Sequence, residues 1–135
     1  MSNLFNENVI VCNCGGTMDI DGKKLAKACG MTTPCNVSTS LCRSETDRLA
    51  EAMTGARNSG KELIVACTQE SATFEQIAED AGAPIPDFIN IREAAGWSDD
   101  SAAALPKTAA LFRAATDAVP AARSLTLTSA GRCLI

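Results

Sequence analysis

Seven cysteines and no histidine define what chemistry this 135-residue chain can do. Cys12 and Cys14 lie in "VIVCNCGG" at residues 9–16, Cys35 and Cys42 bracket "CNVSTSLC", and Cys67 ends "ELIVAC". A thiolate is a nucleophile, a redox partner for a second thiol, or a soft ligand for zinc and iron. Without histidine, Ser–His–Asp triads, Cys–His nucleophile pairs and mixed Cys/His zinc sites are excluded. What is left is all-sulfur metal binding or thiol–disulfide exchange. The odd cysteine count argues against complete pairing, and in a cytosolic chain thiols serve as ligands or catalysts more often than as staples.

The elements that must position these thiols follow from hydrophobic periodicity. "NVIVCN" reads as a buried strand, and "DGKKLAKACG" as a helix stopped by Gly30. "MTTPCNVSTSLC" reads as a short strand or extended loop. A second helix is expected from Ser44, with Ser44 as N-cap, Asp47 three residues on, and Leu49, Ala52, Met53 and Ala56 along one face. "ELIVACT" is continuously apolar, as a central parallel strand covered on both faces must be. "QESATFEQIAEDAGAP" predicts a third helix burying Phe74, Ile77, Ala78 and Ala81, ended by Gly82 and Pro84. A fourth strand is expected over residues 88–91, and a last helix in "SAAALPKTAALFRAATDAV" with Pro106 near its start. Trp97 is expected to pack as an aromatic anchor. Strands alternating with helices imply right-handed crossovers, hence an α/β class: a small three-layer fold with a mainly parallel four-stranded sheet flanked by helices.

This cysteine-bearing domain is expected over residues 1–119. Residues 120–135, "PAARSLTLTSAGRCLI", alternate like a strand and are expected to be a linker and the start of a following, truncated unit that includes Cys133. The net charge of −4, with scattered Lys and Arg, offers no positive field for nucleic acid. No stretch reaches the ~20 apolar residues that span a bilayer, and there is no basic, apolar leader, so a cytoplasmic protein without membrane insertion is expected. "GARNSGKE" imitates a P-loop, but Glu62 replaces its Ser or Thr and it precedes a strand, so it reads as a helix end and turn. "DIDGK" lacks the later ligands of a calcium loop and reads as the turn into the first helix.

The carboxyl ends of parallel strands share one edge, so three segments can deliver thiols to one crevice. Cys12 and Cys14, alternate residues of an extended chain, are expected to project to the same side. Four or more thiolates suit closed tetrahedral zinc or an iron–sulfur cluster, and the lack of a second CxxC favours the cluster. A structural zinc–thiolate assembly module and a thiol–disulfide redox domain are the alternatives. Cys29 and Cys133 read as packing residues.

"VCNCGGTMDIDGKKL", "LCRSETDRL", "ACTQESATFEQ" and "NIREAAGW", in that order, resemble the N-terminal domain of the heterodisulfide reductase A-subunit family. They resemble still more closely the leading domain of bacterial 4Fe-4S ferredoxin-type proteins. The resemblance covers roughly residues 9–100 and implies a 4Fe-4S cluster in an electron-transfer chain, a cofactor that a preparation handled in air loses. By matching position it implies Cys12, Cys14, Cys42 and Cys67 as ligands. Cys35 is the fifth contender, through its Cys-x6-Cys spacing, so the fourth ligand stays open between Cys14 and Cys35. It further implies a fragment of an oxidoreductase with no autonomous catalysis, whose partners are the following domains of the parent protein and a redox partner protein. Helix N-termini after Cys14, Cys42 and Cys67 would offset the cluster's negative charge, with Gly15 and Gly16 permitting close approach of N–H groups to sulfur.

Overall fold

Four apolar segments form the strands of one sheet: β1 (Val9–Cys12), β2 (Asn36–Ser38), β3 (Ile64–Ala66) and β4 (Asp87–Phe88). Between and after them run α1 (Gly22–Ala28), α2 (Thr46–Ser59), α3 (Ser71–Asp80) and α4 (Leu105–Thr116). The computed structural model describes residues 8–116 and 124–131. The sheet is parallel throughout, in the order β2-β1-β3-β4. This is the expected α/β architecture of three layers, and the chain runs first to one side of β1 and then to the other. The order therefore reverses between β1 and β3, where open α/β sheets form a crevice at their carboxyl edge.

The two sheet faces are separate cores. Val9, Val11, Ile64 and Ala66 pack with Leu25 and Ala26 of α1 and Ala109 and Phe112 of α4. Ile10, Cys12 and Val65 pack with Leu49, Met53 and Ala56 of α2 and Phe74 and Ala78 of α3. All four residues of β1 and all three of β3 are buried, which is why both segments are continuously apolar.

Several boundaries differ from the sequence reading for local physical reasons. α2 starts at Thr46 rather than Ser44, because residues 41–45 form a turn in which Glu45 N–H and Arg43 N–H both donate to Ser40 O. The turn "DIDGK" caps α1 as expected: Asp21 accepts from the N–H groups of Lys23 and Lys24. The P-loop imitation is the end of α2, where Gly60 takes the left-handed conformation (φ 66°) and Lys61 N–H closes on Ala56 O. β4 is only two residues long beside a three-residue partner. Ile89 N–H still donates to Val65 O, but the chain then enters a π-helical turn, Arg92–Gly96. A 3₁₀ turn (Ser101–Ala104) precedes α4, whose first turn accommodates Pro106, since that position needs no intrahelical N–H donor.

Trp97 corrects an expectation. It is not a core anchor but 57% exposed, with the Arg92 guanidinium 4.0 Å from its ring centroid. The π-helical turn presents Gly96 to the core instead, so tightly that a Cβ there would lie 2.8 Å from Met18 Sδ. The expected alternating segment lies partly outside the described residues, as does Cys133. The described part, 124–131, forms no strand and leaves Leu125 and Leu127 exposed. Among the described residues no helix is long and apolar enough to cross a membrane.

Candidate functional site: a thiol crevice at the sheet edge

Three thiols from three different connections lie in the α2/α3 layer at the carboxyl edge of the sheet. Cys12 ends β1 and is 3% exposed. Cys67 follows β3, and Cys42 stands in the turn between β2 and α2; both are half-buried and pack on the α2/α3 core. The strand parity that puts Ile10 against α2 puts Cys12 there too. Leu41, fully buried, anchors the turn that carries Cys42.

Around Cys12 the hydrogen bonds converge on sulfur. Cys14 N–H donates to Cys12 Sγ at 3.4 Å, and the Cys67 thiol and Leu41 N–H lie close enough to favour its thiolate. These donors, Cys67 foremost, outweigh burial and the nearby Glu45 charge and bring the Cys12 thiol down to about 6. Cys67 moves the opposite way: the Cys12 thiolate favours its protonated form, and burial together with the neighbouring Cys12 and Cys42 charges holds it well above the ordinary thiol range. The pair is a thiolate beside a thiol.

A carboxylate that the sequence reading did not single out braces the third segment. Glu45 Oε2 accepts from Thr39 N–H at 2.7 Å and also from Ser40 N–H, while Glu45 Oε1 meets Arg48 Nη1 at 3.2 Å. The two N–H donors and Arg48 hold the carboxyl below its usual range. Glu45 thereby shapes the turn from which Leu41 N–H and Cys42 reach the crevice. It was hidden in the sequence because Ser44 and Asp47 supplied a more familiar capping pattern.

The loop after β1 behaves differently from an extended chain. Cys14 has φ 54°, followed by Gly15 (69°) and Gly16 (79°), three left-handed residues in succession. For a non-glycine residue this conformation is strained by about 1–2 kcal/mol. The reversal sends the Cys14 side chain against the α1/α4 core while its N–H stays on Cys12 Sγ, so Cys12 and Cys14 do not project to the same side. Gly15 N–H donates to Thr39 O (2.7 Å) and Gly16 N–H to Asn13 Oδ1 (2.9 Å), so the sulfur-directed N–H of this loop belongs to Cys14. A Cβ on either glycine would meet open space; glycine is needed there for its φ.

Cys35 lies elsewhere. It is buried in the α1/α4 layer with Cys29, its thiol on Met31 Sδ at 3.5 Å. Burial and the neighbouring Cys29 push it up to about 11, and burial likewise raises Cys29. Both are packing thiols, as the sequence reading held for Cys29. Helix N-termini stand near two of the crevice thiols, α2 opening at Thr46 after Cys42 and α3 at Ser71 after Cys67. α1 opens only at Gly22, well past Cys14.

Cys12, Cys42 and Cys67 are thus the residues that could hold a thiophilic metal or cluster. Among the described residues, no three Cys, Asp or Glu side chains are drawn together closely enough to enclose a single ion. Thiol sulfur is the donor type that zinc and iron–sulfur clusters use, and among the described residues the crevice thiols are not gathered into a ligand set. Comparison of the chain with protein-family models, curated proteins and solved structures returns no match.

Proposed function

We propose that this chain is a 4Fe-4S-binding electron-transfer domain whose cluster is held in the thiol crevice by Cys12, Cys42 and Cys67, with Cys14 as the fourth ligand. The observation that carries this reading is that Cys12 at the end of β1, Cys67 after β3 and Cys42 in the turn before α2 pack on one core layer at the point where strand order reverses. Both Cys14 and Cys35 pack on the α1/α4 side, and Cys14 is preferred because it is half-exposed and its N–H donates to Cys12 Sγ, whereas Cys35 is buried with its thiol on Met31 Sδ. A bound 4Fe-4S cluster supplies a one-electron couple. The chain's own residues would supply the thiolates and offset negative charge on sulfur through Leu41 and Cys14 N–H. Such a couple would let the domain relay one electron between a reduced donor protein and an oxidised acceptor, with Cys12, Cys14, Cys42 and Cys67 holding the group and no bond made or broken in the chain. The segment resemblance to ferredoxin-type and heterodisulfide reductase domains supports the same reading, with the following domains of a parent oxidoreductase as partners.

Anaerobic reconstitution with iron and sulfide tests it. Brown protein with about four iron per chain is expected, lost in the Ala variants of Cys12, Cys14, Cys42 and Cys67 and retained in Cys35→Ala and Cys29→Ala. A colourless chain that takes up zinc alone, or no metal, refutes it.

The Cys67 thiol beside the Cys12 thiolate favours one second reading, thiol–disulfide exchange. Cys12 thiolate would attack a substrate disulfide and expel one thiolate. Cys67 sulfur would then attack the mixed disulfide and release the second, its proton passing to that leaving group. A Cys12–Cys67 crosslinked peptide after treatment with a small disulfide identifies this activity, and its absence dismisses it.

A further inference from the structure

The carboxyl edge of the sheet carries a second concavity, on the face opposite the thiol crevice. Residues 18–21 lead from β1 into α1, Ile91 follows β4, residues 96–105 lead into α4, and between them lies a half-open cavity of about 150 Å³. Open α/β sheets bind ligands outside the carboxyl ends of their strands, and small molecules settle in largely apolar hollows that carry a few polar groups. Met18, Leu25, Ile91 and Leu105 give this cavity an apolar floor. A space of this size takes one phenyl- or isobutyl-sized group. Its walls are fixed: Gly96 packs so closely that a Cβ there would lie 2.8 Å from Met18 Sδ, and Asp19 N–H donates to Ser101 Oγ at 2.7 Å. A preformed hollow spares a ligand the cost of ordering it.

The rim says what charge the ligand carries. Asp19, Asp21 and Lys24 are the charged side chains among the described residues that line the cavity. Two of them cancel, since Lys24 Nζ lies 3.8 Å from Asp21 Oδ2 while Asp21 Oδ1 caps α1. The exposed Asp19 carboxylate has no ion pair or hydrogen bond among the described residues, so the rim keeps one uncompensated negative charge. Beside it Ser101 Oγ already accepts one N–H and has a lone pair left for a second. We infer that this cavity is a binding site for a small organic ammonium ion, with its apolar group on the floor and its N–H groups donating to Asp19 and Ser101. The site shares no residue with the thiol crevice and stands whether or not that crevice holds a metal.

Trp97 is the only tryptophan of the chain and adjoins Gly96 of the cavity wall, so its fluorescence, together with backbone amide shifts of the isotope-labelled chain, reads the site. Phenethylammonium is the probe; methylammonium lacks its apolar group, and hydrocinnamate carries the opposite charge on a similar body. Phenethylammonium should bind saturably with Kd on the order of 1 mM, as suits a ligand this small, and should move the amides of Asp19, Ile91, Gly96 and Ser101. Methylammonium and hydrocinnamate should bind at least about fivefold more weakly. Asp19→Asn, a surface change, should weaken phenethylammonium by about twofold to fivefold at low salt and narrow its lead over hydrocinnamate. Absence of a saturable shift by about 10 mM probe, equal binding of hydrocinnamate or methylammonium, or unchanged affinity in Asp19→Asn overturns the inference. Shifts scattered over exposed carboxylates elsewhere on the chain mark general ion pairing and overturn it too.

Discussion

Cys67→Ala removes the first of the donors that hold Cys12 as a thiolate. With Cys12 at about 6 rather than the ordinary ~8.5, the fold favours the thiolate by roughly 3 kcal/mol. At pH 7 that leaves Cys12 about 90% ionised, against about 3% for an unperturbed thiol. Leu41 and Cys14 N–H remain in the variant, so Cys12 should move toward the ordinary value without reaching it. Its ionised fraction at pH 7 should fall by roughly threefold to tenfold. Ultraviolet thiolate absorbance of the reduced, metal-free protein, titrated from pH 4 to 8, reads this without requiring a reagent to reach a buried sulfur. Wild type should gain one thiolate in a step centred near pH 6, Cys12→Ala should lack the step, and Cys67→Ala should show it displaced upward. A wild-type titration flat below pH 7.5, or a step unmoved in Cys67→Ala, refutes the reasoning.

The same thiols set how stability depends on pH. Cys12 is depressed in the fold, so the unfolded chain binds more protons between about pH 6 and 8.5, and thermal stability of the reduced apoprotein should rise across that range. Cys35 is raised to about 11, so above about pH 9 the unfolded chain loses protons that the fold keeps, and stability should fall by up to about 3 kcal/mol as pH approaches 11. Cys35→Ala should remove its share of that alkaline fall in chemical denaturation, the raised Cys67 and Cys29 thiols retaining theirs. Gly22→Ala should cost about 1–3 kcal/mol, because its Cβ would lie 2.3 Å from Cys35 O, whereas Gly55→Ala, in the open on α2, should stabilise by about 0.5–1 kcal/mol. Trp97→Ala should change stability by no more than about 1 kcal/mol, the scale of an exposed cation–π contact; a larger loss in urea unfolding would mean that the exposed ring packs in solution.

Much of this architecture is written locally in the chain. Continuous apolarity marks β1 and β3 as central strands, and the helical spacing of Leu49, Met53 and Ala56 marks the buried face of α2. Asp21 and Gly60 announce a start and a stop through side-chain capping and left-handed backbone. These signals depend only on neighbours within a few residues, so they survive without knowledge of the fold. They also place Cys12 and Cys67 at strand ends and Cys42 in the connection after β2, because the carboxyl edge of a parallel sheet follows from its connectivity.

Which thiols meet is a different matter, decided by strand parity and by one unusual turn. Cys12 and Cys35 both border strands, yet Cys12 faces α2 and α3 while Cys35 lies beneath α1 and α4, a division that appears only when β1 and β2 are paired in register. Alternation would have joined Cys14 to Cys12, but three left-handed residues break the extended geometry on which alternation rests. The buried hydroxyl of Ser38, without a partner among the described residues, and the clamp of Glu45 on residues 39 and 40 likewise exist only in three dimensions. By itself the sequence determined the α/β class, the order of elements and a reservoir of thiols at one edge, since those rest on short-range periodicity and capping. The tertiary structure alone decided which sulfurs share a layer, which of them carries the charge, and what donors surround it, because those depend on residues far apart in the chain brought together by the packing of the sheet's two faces.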